Sequence, residues 1–426
     1  MRISRPGLGL AARRVLGDPR LYWVVIVLVA ARRVIAELPV WLPGSADAGS
    51  FIDSGREALT HPGAIYARSA ALIAGGYTWS VNSPPPTIVL AIPFALAPED
   101  VAVKMWVAAN ALSAVAGLVF LYRSIGQRTQ LTLPIFVLVA LCFSPLFEDM
   151  RLGQIGGFLL CLSCGAMLVT RRRPLLGGAL VGLATSLKFY PAAMVLAIDG
   201  RRRLRFIGSL AAVCGSVFAI TFIPFGSPWF YLTRVLIPVS TDFPDHTHSC
   251  FENSTPSLFY RLVGGSAWTT LNSGTWSSPI SLPWHLSLVA QLLIYATLAL
   301  LFAGTVWAAR RSGWAQPFSM ALAFSLGALV PGHVYTYQFI ALLPLTLVLV
   351  LTAVQHNRWI LTGVLGLAVW VFVSSPCALV FPGLWNIAGL AIFAVAMLLA
   401  ADAGQASSIS RSETPRSRIP ATSGTR

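Results

Sequence analysis

Long unbroken apolar runs separated by short polar gaps, with no strict alternation, set the pattern of this chain. Period-two alternation would indicate strands, whereas continuous runs of about 20 apolar residues indicate helices that cross a bilayer. In lipid only helices and closed barrels satisfy every backbone N–H and C=O, and runs without alternation select helices. The pattern therefore predicts an all-α polytopic membrane protein with roughly ten or more crossings. A first span covers 21–38. A polar stretch follows over 39–86, and then an apolar piece, 87–97, too short to cross alone. Further spans are expected over 101–122, 131–146, 155–170, 206–223, 284–309, 314–330, 338–354, 359–380 and 384–401.

One interval breaks the pattern. Residues 174–198 lie between two arginine clusters, Arg171 to Arg173 and Arg201 to Arg203 with Arg205. About 25 residues are too few for two full crossings. Lys188, Tyr190 and Pro191 sit in the middle. The reading is two short helices that dip into the protein and return, a device tolerated at membrane depth only where it lines a cavity.

Composition agrees with the pattern: 56% of residues are hydrophobic and 11% charged, against about a quarter charged in a soluble domain. The net charge of +15 is almost all arginine, since the lysines are Lys104 and Lys188. The arginines fall in short gaps between spans, including Arg310 and Arg311, which is the positive-inside distribution. A nucleic-acid-binding role would need these bases on one soluble face with aromatics among them, and no such domain is present. Alternation from an inner N-terminus assigns 1–20 as a cytoplasmic segment, 21–401 as the membrane domain and 402–426 as a disordered cytoplasmic tail. It puts 39–86, 148–154, 224–283 and 331–337 outside the cell. The basic start lacks an A-x-A-like cleavage site, so the first helix is read as retained. Within that helix Arg32 and Arg33 are costly unless they lie near its end or face protein. Cys142, Cys161, Cys164 and Cys214 read as small core residues; Cys250 and Cys377 share the outer side, but the sequence does not establish a bond between them.

The outer segments and the broken helix carry the candidate chemistry. Asp47 and Asp53 lie six apart just beyond the first helix; either carboxylate suits a general base, and either also suits a helix N-cap. Tyr66, Tyr77 and Trp79 follow as ring-bearing candidates for substrate contact. Arg151 and Gln154 form a polar turn, in which Arg151 suits a phosphate or an ion pair with Glu148 or Asp149. Lys188 suits a phosphate as a compact charge, with snorkelling to the interface as the plainer alternative, and Tyr190 adjoins it. The long loop holds Asp245, His246, His248, Asn253 and Arg261; its His spacing is weak evidence for metal. His333 sits in a turn before Tyr335, Tyr337 and Gln338.

Taken in order, these segments resemble glycosyltransferase family 87, the polyprenyl-phosphate-sugar-dependent enzymes of GT-C fold that include actinobacterial mannosyltransferases. The matching pieces are Asp47 with Phe51 (where the family usually has Tyr), Pro62 to Tyr66, Tyr77 to Pro86, Arg151 to Gln154, Lys188 with Pro191, Asn253 with Arg261, and a His-containing turn before Leu343 and Pro344. The resemblance implies a GT-C-type bundle of roughly 11–12 transmembrane or re-entrant helices around an outer-face cavity. It implies an inverting transfer in which Asp47, with Asp53 as competitor, deprotonates the acceptor hydroxyl. Lys188, helped by Arg151 or Arg261, would hold the donor phosphate, and His333 is the counterpart of a family histidine that commonly lies nearer Leu343. No cofactor or metal is implied, since Lys and Arg can supply the positive charge near the departing phosphate.

The expected function is mannose transfer from polyprenyl-phospho-mannose to a lipid-linked envelope glycan on the outer face of the plasma membrane. Polyprenyl-phospho-arabinose is the alternative donor within the family. From another class, a secondary transporter or lipid flippase accounts for the hydropathy and Lys188. It does not account for outer loops rich in Asp, Trp, Tyr and Asn, and no internal repeat supports it.

Overall fold

The computed structural model describes residues 18–41, 46–74, 83–125, 129–238, 254–264, 283–312, 316–331, 334, 336–356, 358–373 and 384–412. Among these residues the fold is helical. It begins with α1 (Pro19–Trp41), α2 (Ala46–Thr60), α3 (Ala64–Ala74), α4 (Pro85–Ala95) and α5 (Glu99–Ser124). Then come α6 (Thr132–Cys142), α7 (Ser144–Leu152), α8 (Gly156–Val169) and α9 (Pro174–Leu187), and, after a 3-10 stretch at Tyr190–Ala197, α10 (Gly200–Phe225). After a short helical stretch at Pro228–Tyr231 that continues as a wider turn at Leu232–Leu236, the remainder is α11 (Thr255–Val263), α12 (Trp284–Ser312), α13 (Pro317–Leu329), a 3-10 stretch at Thr336–Leu342, α14 (Leu343–Gln355), α15 (Trp359–Val373) and α16 (Leu384–Ser412). This is an all-α polytopic membrane protein.

Among the described residues five helical segments are long and apolar enough to cross a bilayer, with a sixth if α6 and α7, bent by 52° at Phe143, count as one span. The other apolar helices run 10–17 residues, which at 1.5 Å per residue is too short for a hydrocarbon core of about 30 Å. The segment from Thr336 through α14 is the hub, 83% buried inside the protein, while α10 is 11% buried and turns Leu204, Ile220 and Ile223 outward. With no aqueous interior to reward, such exposed apolar faces suit lipid.

The bend at Phe143 is pinned from α1. Breaking a helix frees carbonyls, and Arg33 answers one of them: its Nε donates to the Leu141 carbonyl at 3.3 Å, and its Nη2 donates to Ser144 Oγ at 2.7 Å. The guanidinium also lies 4.6 Å over the Phe147 ring. Arg33 is thus buried against protein, while Arg32 is exposed.

The stretch 39–86 is not simply a polar loop: α2 and α3 form within it. Ala48, Ile52 and Gly55 recur at i, i+4 and i+7 and face α4, where a Cβ on Gly55 would lie 3.1 Å from Ala95. A stripe this narrow is hidden by the polar residues between its members. Likewise 148–152 is the end of α7, closed by Gly153 in the left-handed conformation at φ 68°.

The interval 174–198 breaks at Lys188, whose extended backbone ends α9. Contacts between α9 and α10 advance together along both helices: Gly178 abuts the Phe206 carbonyl, Gly182 abuts Leu210, and Phe189 stacks on Phe218. The two helices are therefore parallel, so the Arg171 and Arg202 clusters share one end. The chain must double back between them, and it does so through the 3-10 stretch. Fourteen residues of α9 reach about 21 Å from that end before turning, short of a full crossing. On the other side of the break, Thr87 Oγ1 on α4 donates to the Leu187 carbonyl at 2.7 Å.

A Cβ on Gly178 would sit 2.2 Å from the Phe206 carbonyl oxygen, whereas one on Gly208 meets nothing within 4 Å. Gly178→Ala is expected to destabilise by about 1–3 kcal/mol. Gly208→Ala is expected to gain about 0.5–1 kcal/mol. Thermal unfolding midpoints in detergent separate the two.

Candidate active site

The site assembles around the first turn of α2. Asp47 lies there, where the positive end of the helix dipole favours a carboxylate. One turn on, Phe51 packs on Trp106 of α5 at 5.4 Å between ring centroids. The Trp106 indole Nε1 donates in turn to the Gly153 carbonyl at 2.7 Å. Trp106 thereby ties α2 to the turn after α7, and the next residue in that turn reaches back. Gln154 Nε2 donates to Asp47 Oδ2 at 2.7 Å. The contact joins residues 107 apart in the chain.

Asp47 is half-buried and lies outside the membrane-spanning helices. Burial pushes its carboxyl above the ordinary aspartate range. The Gln154 hydrogen bond and the charges of Lys188 and Arg151 act in the opposite direction. Lys188, at the break after α9, also acts on a second carboxylate, Asp149, and its ammonium lies 5.0 Å over the Tyr337 ring. Arg151 Nη2 donates to Glu148 Oε2 at 2.6 Å, so of the two acidic neighbours it is Glu148 that takes the ion pair.

Asp149 is fully sequestered by a different set of donors. Asn110 Nδ2 donates to Oδ2 at 2.7 Å, the Gly156 amide donates to Oδ1 at 2.9 Å, and the Gly157 amide donates to Oδ2 at 3.3 Å. The two glycines permit this approach. A Cβ on Gly156 would lie 2.3 Å from Asp149 Oδ1, and one on Gly157 would lie 2.1 Å from the Asn110 carbonyl oxygen. Asp149 and Asn110 were not among the site residues read from the sequence. A lone Asn in the apolar run of α5, and an acidic residue just before a Gly-Gly helix start, were the available signals.

Asp47 and Gln154 are thus brought into contact, and the charges of Lys188 and Arg151 act on that pair. Asp53 points elsewhere, 67% exposed with its carboxylate 3.6 Å from Arg56. Six residues turn a helix through about 600°, which separates the two aspartates by about 120° around the axis. The Tyr66 hydroxyl donates to the Ser83 carbonyl at 2.8 Å, and its ring packs with Phe225 and Tyr231. Tyr190 packs on Phe324 and lies so close to α13 that a Cβ on Gly327 would collide with its ring. Arg261 is buried on α11, whose first turn is anchored by Thr255 Oγ1 donating to the Leu329 carbonyl at 2.6 Å. Tyr77, Trp79, Asn253, His333, Cys250 and Cys377 lie outside the described residues.

The sequence model of glycosyltransferase family 87 matches residues 83–336, more than half of the chain. The chain belongs to glycosyltransferase family 87. The matched region carries Gln154, Arg151, Lys188 and Asp149, and Asp47 lies N-terminal to it; folding brings α2 onto the family region through Trp106 and Gln154. This family 87 chain is also 28% identical over 203 residues to the polyprenol-phosphate-mannose-dependent alpha-(1-2)-phosphatidylinositol pentamannoside mannosyltransferase of Mycobacterium tuberculosis (strain CDC 1551 / Oshkosh). That alignment covers 46% of each protein, so the chain spans less than half the length of the curated relative it matches.

Trp106→Phe would keep the ring contacts with Phe51 but leave the Gly153 carbonyl buried and unbonded. The expected loss is about 1–3 kcal/mol, read as a lower unfolding midpoint.

Proposed function

We propose that this protein is a membrane mannosyltransferase that moves mannose from polyprenyl-phospho-mannose to a lipid-linked glycan acceptor at the outer face of the membrane. The observation that carries the reading is the half-buried carboxylate of Asp47 held by Gln154, on which the charge of Lys188, at the break of a re-entrant helix, acts. Family membership and the mannose-dependent relative support the donor class. Asp47 takes the proton from the acceptor hydroxyl as its oxygen attacks the anomeric carbon. The bond from that carbon to the phosphate oxygen breaks, and the electron pair leaves with polyprenyl phosphate. Lys188 answers the charge that develops on the phosphate, so no step needs the base and the cation to exchange roles. A re-entrant helix suits this donor, because the phosphate must be met near membrane depth while its polyprenyl chain remains in lipid.

The test is transfer by the purified protein from synthetic polyprenyl-phospho-mannose to a short mannoside. Asp47→Asn is expected to lower the rate by about 10²–10⁴-fold. Asp53→Asn is expected to leave it unchanged. Loss confined to Asp53→Asn would move the base. A folded wild type inactive with mannose but active with polyprenyl-phospho-arabinose would change the donor.

The pH profile gives a second readout. A general base works deprotonated, and burial raises the Asp47 carboxyl, so the rate should fall with acidification at a pH above the ordinary aspartate range. Gln154→Leu removes a hydrogen bond that favours the carboxylate. The acid limb should therefore move to higher pH in that variant, and an unmoved limb would remove Asp47 from the titrating role.

A further inference from the structure

The turn between α7 and α8 is built around one residue. The Asp149 main-chain carbonyl accepts the Gln154 amide at 2.9 Å. Its carboxylate accepts the Gly156 amide at 2.9 Å and the Gly157 amide at 3.3 Å. Asp149 thus grips both ends of the turn. Helix α5 closes the seat from one face: Asn110 Nδ2 donates to Asp149 Oδ2 at 2.7 Å, and Asn110 Oδ1 accepts the Phe158 amide at 3.3 Å. Four residues earlier on α5, Trp106 bonds the Gly153 carbonyl. The frame presents Gln154 to α2, where its amide donates to Asp47 Oδ2 at 2.7 Å. The next residue, Ile155, packs in the same apolar cluster as Ala48 and Ile52 of α2.

The donors around this seat select a carboxylate. Three N–H groups converge on Asp149, which is 1% exposed, so a mismatched donor there has no solvent to turn to. An asparagine offers one acceptor oxygen, and its own amide would face the Asn110 amide and the Gly157 N–H. Rotating Asn110 to accept instead would turn its amide onto the Phe158 N–H. The turn would have to open to satisfy these groups, and Gln154 would move with it.

We propose that Asp149 is a positioning residue that acts through Gln154, holding the turn after α7 in the shape that keeps the Gln154 amide on the Asp47 carboxylate. This rests on the function proposed above, in which Asp47 is the base. The role needs no contact between Asp149 and either substrate.

The experiment is the pH–rate profile of sugar transfer for the wild type, Gln154→Leu, Asp149→Asn, their combination, and the exchange Asn110→Asp with Asp149→Asn. The other charged groups around α2 stay in place throughout. Helix α4 carries none; Arg56 of α2 meets Asp53 and, on α5, Glu99; Lys104 of α5 meets Asp100; Arg68 of α3 meets Glu57; Arg151 of α7 meets Glu148; and Lys188 and Arg151 act on Asp47. Gln154→Leu should move the acid limb up by about 0.5–1 pH unit, the worth of one hydrogen bond to the carboxylate. Asp149→Asn should move it up by a similar amount, and the combination should go no further than Gln154→Leu alone, to within about 0.3 unit. The sign is diagnostic. Acting only through its charge, Asp149 would disfavour the Asp47 carboxylate, so neutralising it would move the limb down. A limb that stays or falls in Asp149→Asn overturns the inference, and so do shifts that add in the combination. The exchange returns an acceptor-only group and its donor to the same pair and should restore the limb to within about 0.3 unit of wild type. A folded exchange variant with the limb still displaced overturns the inference too, and this arm decides should Asp149→Asn alone not fold. These failures leave the functional reading standing if Gln154→Leu moves the limb. A limb that ignores Gln154→Leu removes Asp47 as the titrating base and sinks both.

Discussion

A lysine ammonium held inside a lipid-embedded helical bundle is the constraint around which the rest of this structure is organised. Hydrocarbon offers such a charge nothing, and an unpaired cation in a low dielectric would drop its proton or drag in water. Here the ammonium lies over the Tyr337 ring, and the charges of two carboxylates, Asp149 and Asp47, act on it; Asp149 must itself be stabilised. The amide of Asn110 and the first N–H groups of α8 do so. Three structural facts follow from this one demand. Gly156 and Gly157 must lack side chains, Asn110 must interrupt an apolar helix, and α5 and α8 must run close together.

The same demand shapes the backbone around Lys188. A continuous helix would carry the residue across the bilayer or bury it in a uniform wall. Ending α9 in an extended residue sets Lys188 at a turn, and α4 supports the exposed carbonyl there through Thr87. The return leg packs against α13, and small residues on α9 let α10 lie alongside in parallel. Close helix approach through glycine is the usual solution where hydrophobic driving force between helices is absent. Arg33 does the equivalent work at the other break, bonding the Leu141 carbonyl that the bend at Phe143 releases.

Catalytic logic and fold logic meet at Trp106. Its ring carries Phe51 and so sets the rotation of α2, while its N–H holds the turn that presents Gln154. The rotation decides which aspartate turns inward: Asp47 meets Gln154, while Asp53 stands in the open beside Arg56. Asp47 and Gln154 thus come from segments far apart in the chain and are registered by one indole.

By itself the sequence determined the all-helical membrane class, the position of most long helices, the break at Lys188, and the resemblance to family 87. These are local properties. Apolar length, helix-breaking residues and arginine placement act through the bilayer, which is a solvent common to every segment. Resemblance named Asp47 with Asp53 as competitor, but the residues themselves did not rank the two, because a helix hidden in 39–86 had too narrow an apolar stripe to reveal its phase. The residues also left Arg151 undecided between Glu148 and Asp149. Only the tertiary structure shows that Asp47 is half-buried against Gln154, that Asp53 is exposed and that Glu148 takes Arg151, since which side chain is buried depends on the neighbour that covers it. Trp106, Gly153 and Asn110 are those neighbours, and nothing local in the chain announces whom they will meet.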